Sequence, residues 1–211
     1  MEILFEDKDI IVVHKPYNIP TQTAKLTQKD LISELKSYLR KSVGKEPYLG
    51  IIHRLDQNVE GLLVFGKTKK AAAGLSEQLS KDHFNKDYIA KVSGIIPEGK
   101  IELEDFLFSE PKTNVVKVVS NNTAGAKKSV LIFEKWENDL IIIHLKTGRK
   151  HQIRVQLSNA GLPIVGDKKY GNGTDSISNR LCLLAYHLSF KHPVSGESLD
   201  FTLPLSLTKE W

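Results

Sequence analysis

The sequence predicts a mixed α/β (α+β) fold on a largely antiparallel sheet. Three observations predict it: strand-like and helix-like runs do not alternate regularly, no segment repeats, and no linker-like stretch interrupts the 211 residues. One domain spanning residues 1–211 is therefore expected. A hydrophobic share of 40% and a charged share of 26% match ordinary globular chains, which sets aside collagen-like, disordered and disulfide-scaffold classes.

Each element has a local reason. Ile10 to Val13 is a β-rich run, and Lys15-Pro16-Tyr17-Asn18-Ile19-Pro20 breaks it. Thr27 with Asp30 three residues on resembles a capping box, and Leu31, Leu35, Tyr38 and Leu39 follow at helical spacing until Gly44. Leu62 to Phe65 reads as a strand closed by Gly66, and Thr68 can cap a helix with Ala72, Leu75 and Leu79 on its apolar face. Tyr88 to Val92 and Val115 to Val119 read as strands, and Ser129 to Lys135 with Leu140 to Leu145 as a hairpin turning at Asn138-Asp139. A helix is expected from Arg149 to Asn159, stopped by Gly161 and Pro163. Residues 171–179 form a polar loop. Strands near Leu181 to Phe190 and Leu199 to Leu203, divided by the turn at 192–196, close the chain.

Composition bounds the setting. The longest apolar runs are far too short to cross a bilayer, and the acidic start, Met1-Glu2-Ile3-Leu4-Phe5, lacks the basic flank and apolar stretch of a signal peptide. Cys182 stands alone, so no internal disulfide can form, and within Leu181-Cys182-Leu183-Leu184 it reads as a small core residue. A cytoplasmic monomer is expected. The net charge of +5 and pI near 9.1 favour a polyanionic partner, a weak signal until the charges are located.

Two segments concentrate chemistry. In His53-Arg54-Leu55-Asp56-Gln57-Asn58-Val59-Glu60-Gly61 a polar loop lies between apolar runs, as in functional loops held by a rigid scaffold. Asp56 is a carboxylate with the cation Arg54 close in sequence; on spacing alone, an aspartate that merely organises a turn is the better reading. In Thr147-Gly148-Arg149-Lys150-His151-Gln152-Ile153-Arg154, a helix capped by Thr147 would place Arg149, Lys150 and His151 in its first turn. Cations there oppose the helix dipole by about 0.3–1 kcal/mol each, so the segment reads as a phosphate site, against the plainer reading of a solvated basic face. Arg154 falls beside the apolar face of Ile153, Leu157 and Ala160, where a guanidinium needs a carboxylate partner. The histidines show no metal-ligand spacing, and no glycine-rich phosphate loop or nucleophile elbow occurs.

At these residues the chain resembles the RluA-type RNA pseudouridine synthases. The resemblance runs from Ile3 to about Leu205 through Lys15-Pro16, His53-Arg54-Leu55-Asp56 with Gly61-Leu62-Leu63, Lys86-Asp87-Tyr88-Ile89-Ala90, the Thr147 to Arg154 segment, Gly161-Leu162-Pro163-Ile164 with Gly166-Asp167, and Tyr170-Gly171. It implies a long, mostly antiparallel sheet with a central cleft, and isomerisation of uridine to pseudouridine in ribosomal or transfer RNA without metal or cofactor. It further implies Asp56 as catalytic carboxylate, Tyr88 as the ring stacking on the base and Arg154 as the arginine paired with the aspartate. Arg54 would fill the space of the extruded nucleotide, Leu183 would line the uracil pocket, and Arg149, Lys150 and His151 would grip the RNA backbone. The resemblance begins near the first residue, so no separate N-terminal RNA-binding module, such as some family members carry, is expected. The chain departs from the family in carrying Val59-Glu60 where Thr-Ser is common and Leu184 where a histidine is common. Glu60 adds negative charge beside the loop, which leaves open an inactive RNA-binding or assembly factor. An aspartate-based nucleotide hydrolase is a third reading.

Overall fold

Ile10, Ile11, Val12 and Val13 can hide side chains on both faces only inside a sheet, and all four are fully buried there. In the computed structural model every residue is described except Lys25, Leu26 and Lys112, together with all side chains except those of Ser42, Val43, Asp175 and Glu210. The mixed α/β fold on a large sheet is what forms. Among the described residues it comprises eleven strands and three α-helices. The chain divides into two compact units, residues 1–86 with 185–204, and residues 87–184 with 205–211.

In the first unit, β1 (Glu2–Glu6), β2 (Ile10–Lys15) and β4 (Glu60–Gly66) lie side by side, with β2 central and antiparallel to both neighbours. The two-residue β3 (Gly50–Ile51) joins β4, and β11 (Ser198–Thr202) pairs with β10 (Leu183–Lys191). All seven residues of β4 are buried, as a strand covered on both faces requires. The helices are α1 (Leu31–Val43) and α2 (Lys69–Ser80). Thr68 caps α2 by accepting from the Ala71 N–H, as its position predicts, and Gly44 ends α1 in the left-handed conformation. The cap of α1 differs from expectation. Asp30 takes that role, accepting from Ser33 N and also from Thr23 N, so one carboxylate serves two backbone donors while Thr27 lies outside the helix.

The second unit arranges β5 (Asn85–Lys91), β9 (Leu140–Leu145), β8 (Lys127–Glu137), β6 (Lys100–Ser109) and β7 (Val116–Val119) in that order, each registered pair antiparallel. The predicted hairpin is β8–β9, with Asn138 supplying the positive φ of its turn. Ser129, Leu131 and Phe133 are buried while Lys128, Val130 and Ile132 are less so, the period of two that a half-covered strand shows. Helix α3 (Gln152–Asn159) lies against β6 and β7, and its Val155 packs with Leu107 and Val116. It starts three residues later than the sequence predicts. His151 has φ 51, which no α-helix contains, and Thr147 ties to β8 instead of capping. Arg149, Lys150 and His151 therefore precede the helix, so none of the three cations sits in its first turn against the dipole.

Candidate active site

The loop of residues 52–59 is fixed from several directions within the first unit. The Asp56 carbonyl accepts from Val59 N at 3.1 Å, closing a turn through the main chain. Thr21 Oγ1 donates to the Leu55 carbonyl at 2.8 Å and accepts from Leu55 N at 3.2 Å, and Gln57 Nε2 donates to Asn18 Oδ1 at 2.9 Å. His53 Nε2 accepts from Val64 N at 3.3 Å, and its ring stands edge-on to Phe84. Burial, with the nearby Lys86 charge, pushes His53 down to about 3. A neutral ring accepting at Nε2 carries its proton on Nδ1, so His53 braces the loop. Gly61 ends the loop at φ 140; an added Cβ would press into the carbonyl oxygen and Cβ of Ala185, which explains why glycine stands before Leu62-Leu63.

Lys15, at the end of β2, is fully buried under this loop. Its Nζ donates to the carbonyl oxygens of Pro16 (3.0 Å), Ile19 (2.7 Å) and Gln57 (3.1 Å). Burial drives its pKa down to about 8 against the opposing charges of Glu60 and Asp56. Glu60 is buried at the start of β4, with Oε1 2.8 Å from His14 Nε2. Val59 and Leu184, the other departures from the family pattern, are buried apolar residues. On the loop itself Arg54 is exposed and Asp56 half-buried.

The second unit holds the remaining candidates. Tyr88 is buried on β5 opposite Ile143, and its neighbour Asp87 bonds His144 Nδ1 at 2.8 Å across to β9. Leu183 is buried at the start of β10. Arg154 finds the carboxylate its position demands: Nε and Nη2 bind Asp167 Oδ2 and Oδ1 at 2.7 and 2.8 Å. Burial raises the Asp167 carboxyl, but the Arg154 guanidinium and the N–H groups of Lys169 and Tyr170 outweigh it and hold it below the usual range. The Arg154 guanidinium lies 5.0 Å from the centre of the Tyr170 ring, and the Tyr170 hydroxyl, accepting from Val116 N, is 2.7 Å from His151 Nδ1. The structure thus brings His151 and Arg154 together through Tyr170. Asp167 and Tyr170 entered the sequence reading only as matches to the family pattern, with no role assigned; the need of Arg154 for a carboxylate was the signal that could have given Asp167 its role.

Arg149 and Lys150 are exposed, and the backbone beneath them is tied down by a buried amide ladder. Gln152 Oε1 accepts from Arg149 N (2.9 Å) and the Thr147 hydroxyl (2.8 Å), while its Nε2 donates to Val130 O (3.1 Å) and Gln156 Oε1 (2.9 Å). Gln156 Nε2 is shared between Asp105 Oδ2 (2.8 Å), Leu103 O (3.2 Å) and Ser129 O (3.3 Å). Two buried glutamines one helical turn apart were the overlooked signal.

Asp7, Asp9 and His192 also cluster in the first unit. His192 Nδ1 accepts from Val194 N and Ser195 N, so a neutral ring has its proton on Nε2, 2.9 Å from Asp7 Oδ2. A proton-bearing nitrogen facing a carboxylate is no metal ligand, and the contact links the β1–β2 turn to the β10–β11 turn.

Comparison with known proteins places these elements. The pattern described as RNA pseudouridylate synthase matches residues 9–159. A Helicobacter pylori protein described as an uncharacterized RNA pseudouridine synthase is 36% identical, aligned over 97% of this chain and 66% of that protein. The ribosomal large subunit pseudouridine synthase D of Neisseria meningitidis is 34% identical, over 97% of this chain and 58% of that protein. The chain thus spans about two thirds or less of the length of these relatives. Among solved structures, human RNA pseudouridylate synthase domain containing 4 superimposes with a TM-score of 0.79 at 21% identity, covering 99% of this chain and 90% of that one. Human RNA pseudouridylate synthase domain containing 1 gives 0.74 at 22%, covering 96% and 82%. At these identities the structures speak to the fold. The pattern match takes in the Asp56 loop, β5 and all of α3, and on that ground the chain belongs to the RNA pseudouridylate synthase family.

Proposed function

We propose that this chain isomerises uridine to pseudouridine in RNA, with large-subunit ribosomal RNA as the first substrate to test. The substrate follows from the Neisseria meningitidis relative, a ribosomal large subunit pseudouridine synthase. The observation that carries the reading is the Asp56 loop: a family-matched segment held by Thr21, by Asn18 through the Gln57 amide, and by a buried ammonium attracted to Asp56. A rigid footing lets a carboxylate meet one sugar carbon in one orientation.

The reaction breaks the N1–C1′ bond of uridine, turns the uracil and joins its C5 to C1′; the proton on C5 leaves and N1 gains one, so the product is an isomer. A carboxylate serves this chemistry by attacking C1′, or by removing a ribose proton so that uracil departs from a glycal. Both routes use the ionised form. Tyr88 is assigned to hold the detached base against its ring, and Arg154, fixed by Asp167, to the role of the family's catalytic arginine. Leu183 is assigned to the pocket wall and Arg54 to the space left by the nucleotide, which must leave its helix to be reached. Arg149, Lys150 and His151 are assigned to the phosphates. We take residues 1–211 to work as one catalytic domain, as a cytoplasmic monomer.

The test is tritium release from a large-subunit ribosomal RNA transcript labelled at uridine C5. Release by the native chain and its loss in Asp56→Asn, with RNA binding largely kept, is the expected outcome. RNA binding without release would make the chain a binding or assembly factor, and free uracil would make it a hydrolase.

A further inference from the structure

An ammonium offers three N–H bonds, a neutral amine two and a lone pair. Lys15 Nζ faces three carbonyl oxygens, those of Pro16, Ile19 and Gln57. Only the charged form satisfies all three. Loss of the proton turns a lone pair toward one of those oxygens, and the Gln57 carbonyl, next to Asp56 and at 3.1 Å the longest of the three contacts, is the bond most readily lost. A charge buried this completely needs an opposite charge nearby. Glu60 provides one from β4, and it is buried in turn with His14 Nε2 at 2.8 Å.

We propose that Lys15 is a titratable positioning residue whose ammonium clamps the Asp56 loop, and that Glu60, held by His14, is the counter-charge that keeps the clamp closed at neutral pH. The inference rests on Asp56 being the catalytic carboxylate. It gives the departure at position 60 a role: the added carboxylate is spent on Lys15 and His14. The charged and titratable groups around the clamp are Asp56, Arg54 and His53 on the loop, Glu60 on β4, His14 on β2 and Glu2 on β1, whose Oε2 lies 3.5 Å from His14 Nδ1. Burial already brings Lys15 from 10.5 to about 8, so the clamp opens on the alkaline side within reach of ordinary buffers.

The test is a nuclear magnetic resonance titration of lysine side chains labelled at the ε position, with Lys15 assigned from its absence in Lys15→Arg. Lys15 should titrate near 8, and the Gln57 and Asn58 amides should move with the same midpoint. Glu60→Gln keeps the side-chain shape and should lower that midpoint by about one pH unit. Tritium release from bulk RNA labelled at uridine C5 should fall with the native midpoint, fall at the lower one in Glu60→Gln, and lose its alkaline limb in Lys15→Arg. A midpoint near the ordinary lysine value, a midpoint indifferent to Glu60→Gln, or loop amides that do not follow it would overturn the proposal. If Lys15→Arg does not fold, the native titration and Glu60→Gln decide alone, with Lys15 then assigned through its bonded neighbours. If the native chain releases no tritium at any pH, the catalytic reading fails while the titration still judges the clamp.

Discussion

Burial and Lys86 leave the His53 ring neutral in the folded chain down to about pH 3, whereas an unfolded histidine takes its proton near 6.5. Between those values the unfolded chain binds the extra proton. The stability from His53 is therefore full above about 6.5 and is lost as pH falls toward 3. The slope is at most about 1.4 kcal/mol per pH unit. Urea unfolding across that window should show the decline and a flatter curve for His53→Gln; equal slopes would mean the ring titrates normally. Asp167 makes the second residue-scale prediction. Asp167→Asn removes the charge from the bidentate partner of Arg154, and a loss of about 2–3 kcal/mol in urea is expected, with slower isomerisation. The segments around Asp56, Tyr88 and Arg154 were legible as a family pattern because their motifs fix residue types. Asp167 was harder to assign, since it lies 13 positions from Arg154 and its pairing is made by the turn before Tyr170. Glu60 was legible only as a worry, because its partner His14 stands 46 positions away on another strand.

Elements with a strong local signature were readable: β2 and β4 from continuous apolar runs, α2 from the Thr68 cap, β8–β9 from alternation and the Asn138 turn. The first strand was not read because its exposed positions are the mismatched Glu2 and Leu4, on an edge that only its pairing with β2 reveals. In β6, Asp105 falls where the alternation calls for an apolar side chain, and its reason, the amide of Gln156, belongs to α3. The start of α3 misled for a related cause. Thr147 has a cap's identity, yet its hydroxyl is engaged with Val130 and Gln152, and nothing local announces the left-handed turn at His151. The ladder carries a prediction of its own. Gln152→Met should strand the Arg149 N–H and Gln156 Oε1, while the Val130 carbonyl keeps the Lys146 and Thr147 N–H groups; a cost of about 3 kcal/mol is expected, with faster hydrogen exchange at Arg149 and weaker RNA binding. Unchanged exchange would show that the loop holds its shape by other means.

At the scale of the whole molecule the chain carries a net charge of +5, with Arg149 and Lys150 exposed on the second unit. If Arg149 meets a phosphate, Arg149→Ala should reduce the slope of log affinity against log salt by about 0.7–0.9. A slope equal to that of the native chain would remove Arg149 from the RNA contact. The footing of that loop answers to salt differently from the loop itself. Gln152 and Gln156 are neutral and buried, so ions that strip an RNA strand from the cations do little to the amide bonds below them. A chain washed off one transcript would keep its gripping surface in shape, ready for the next strand without a pause to rebuild it.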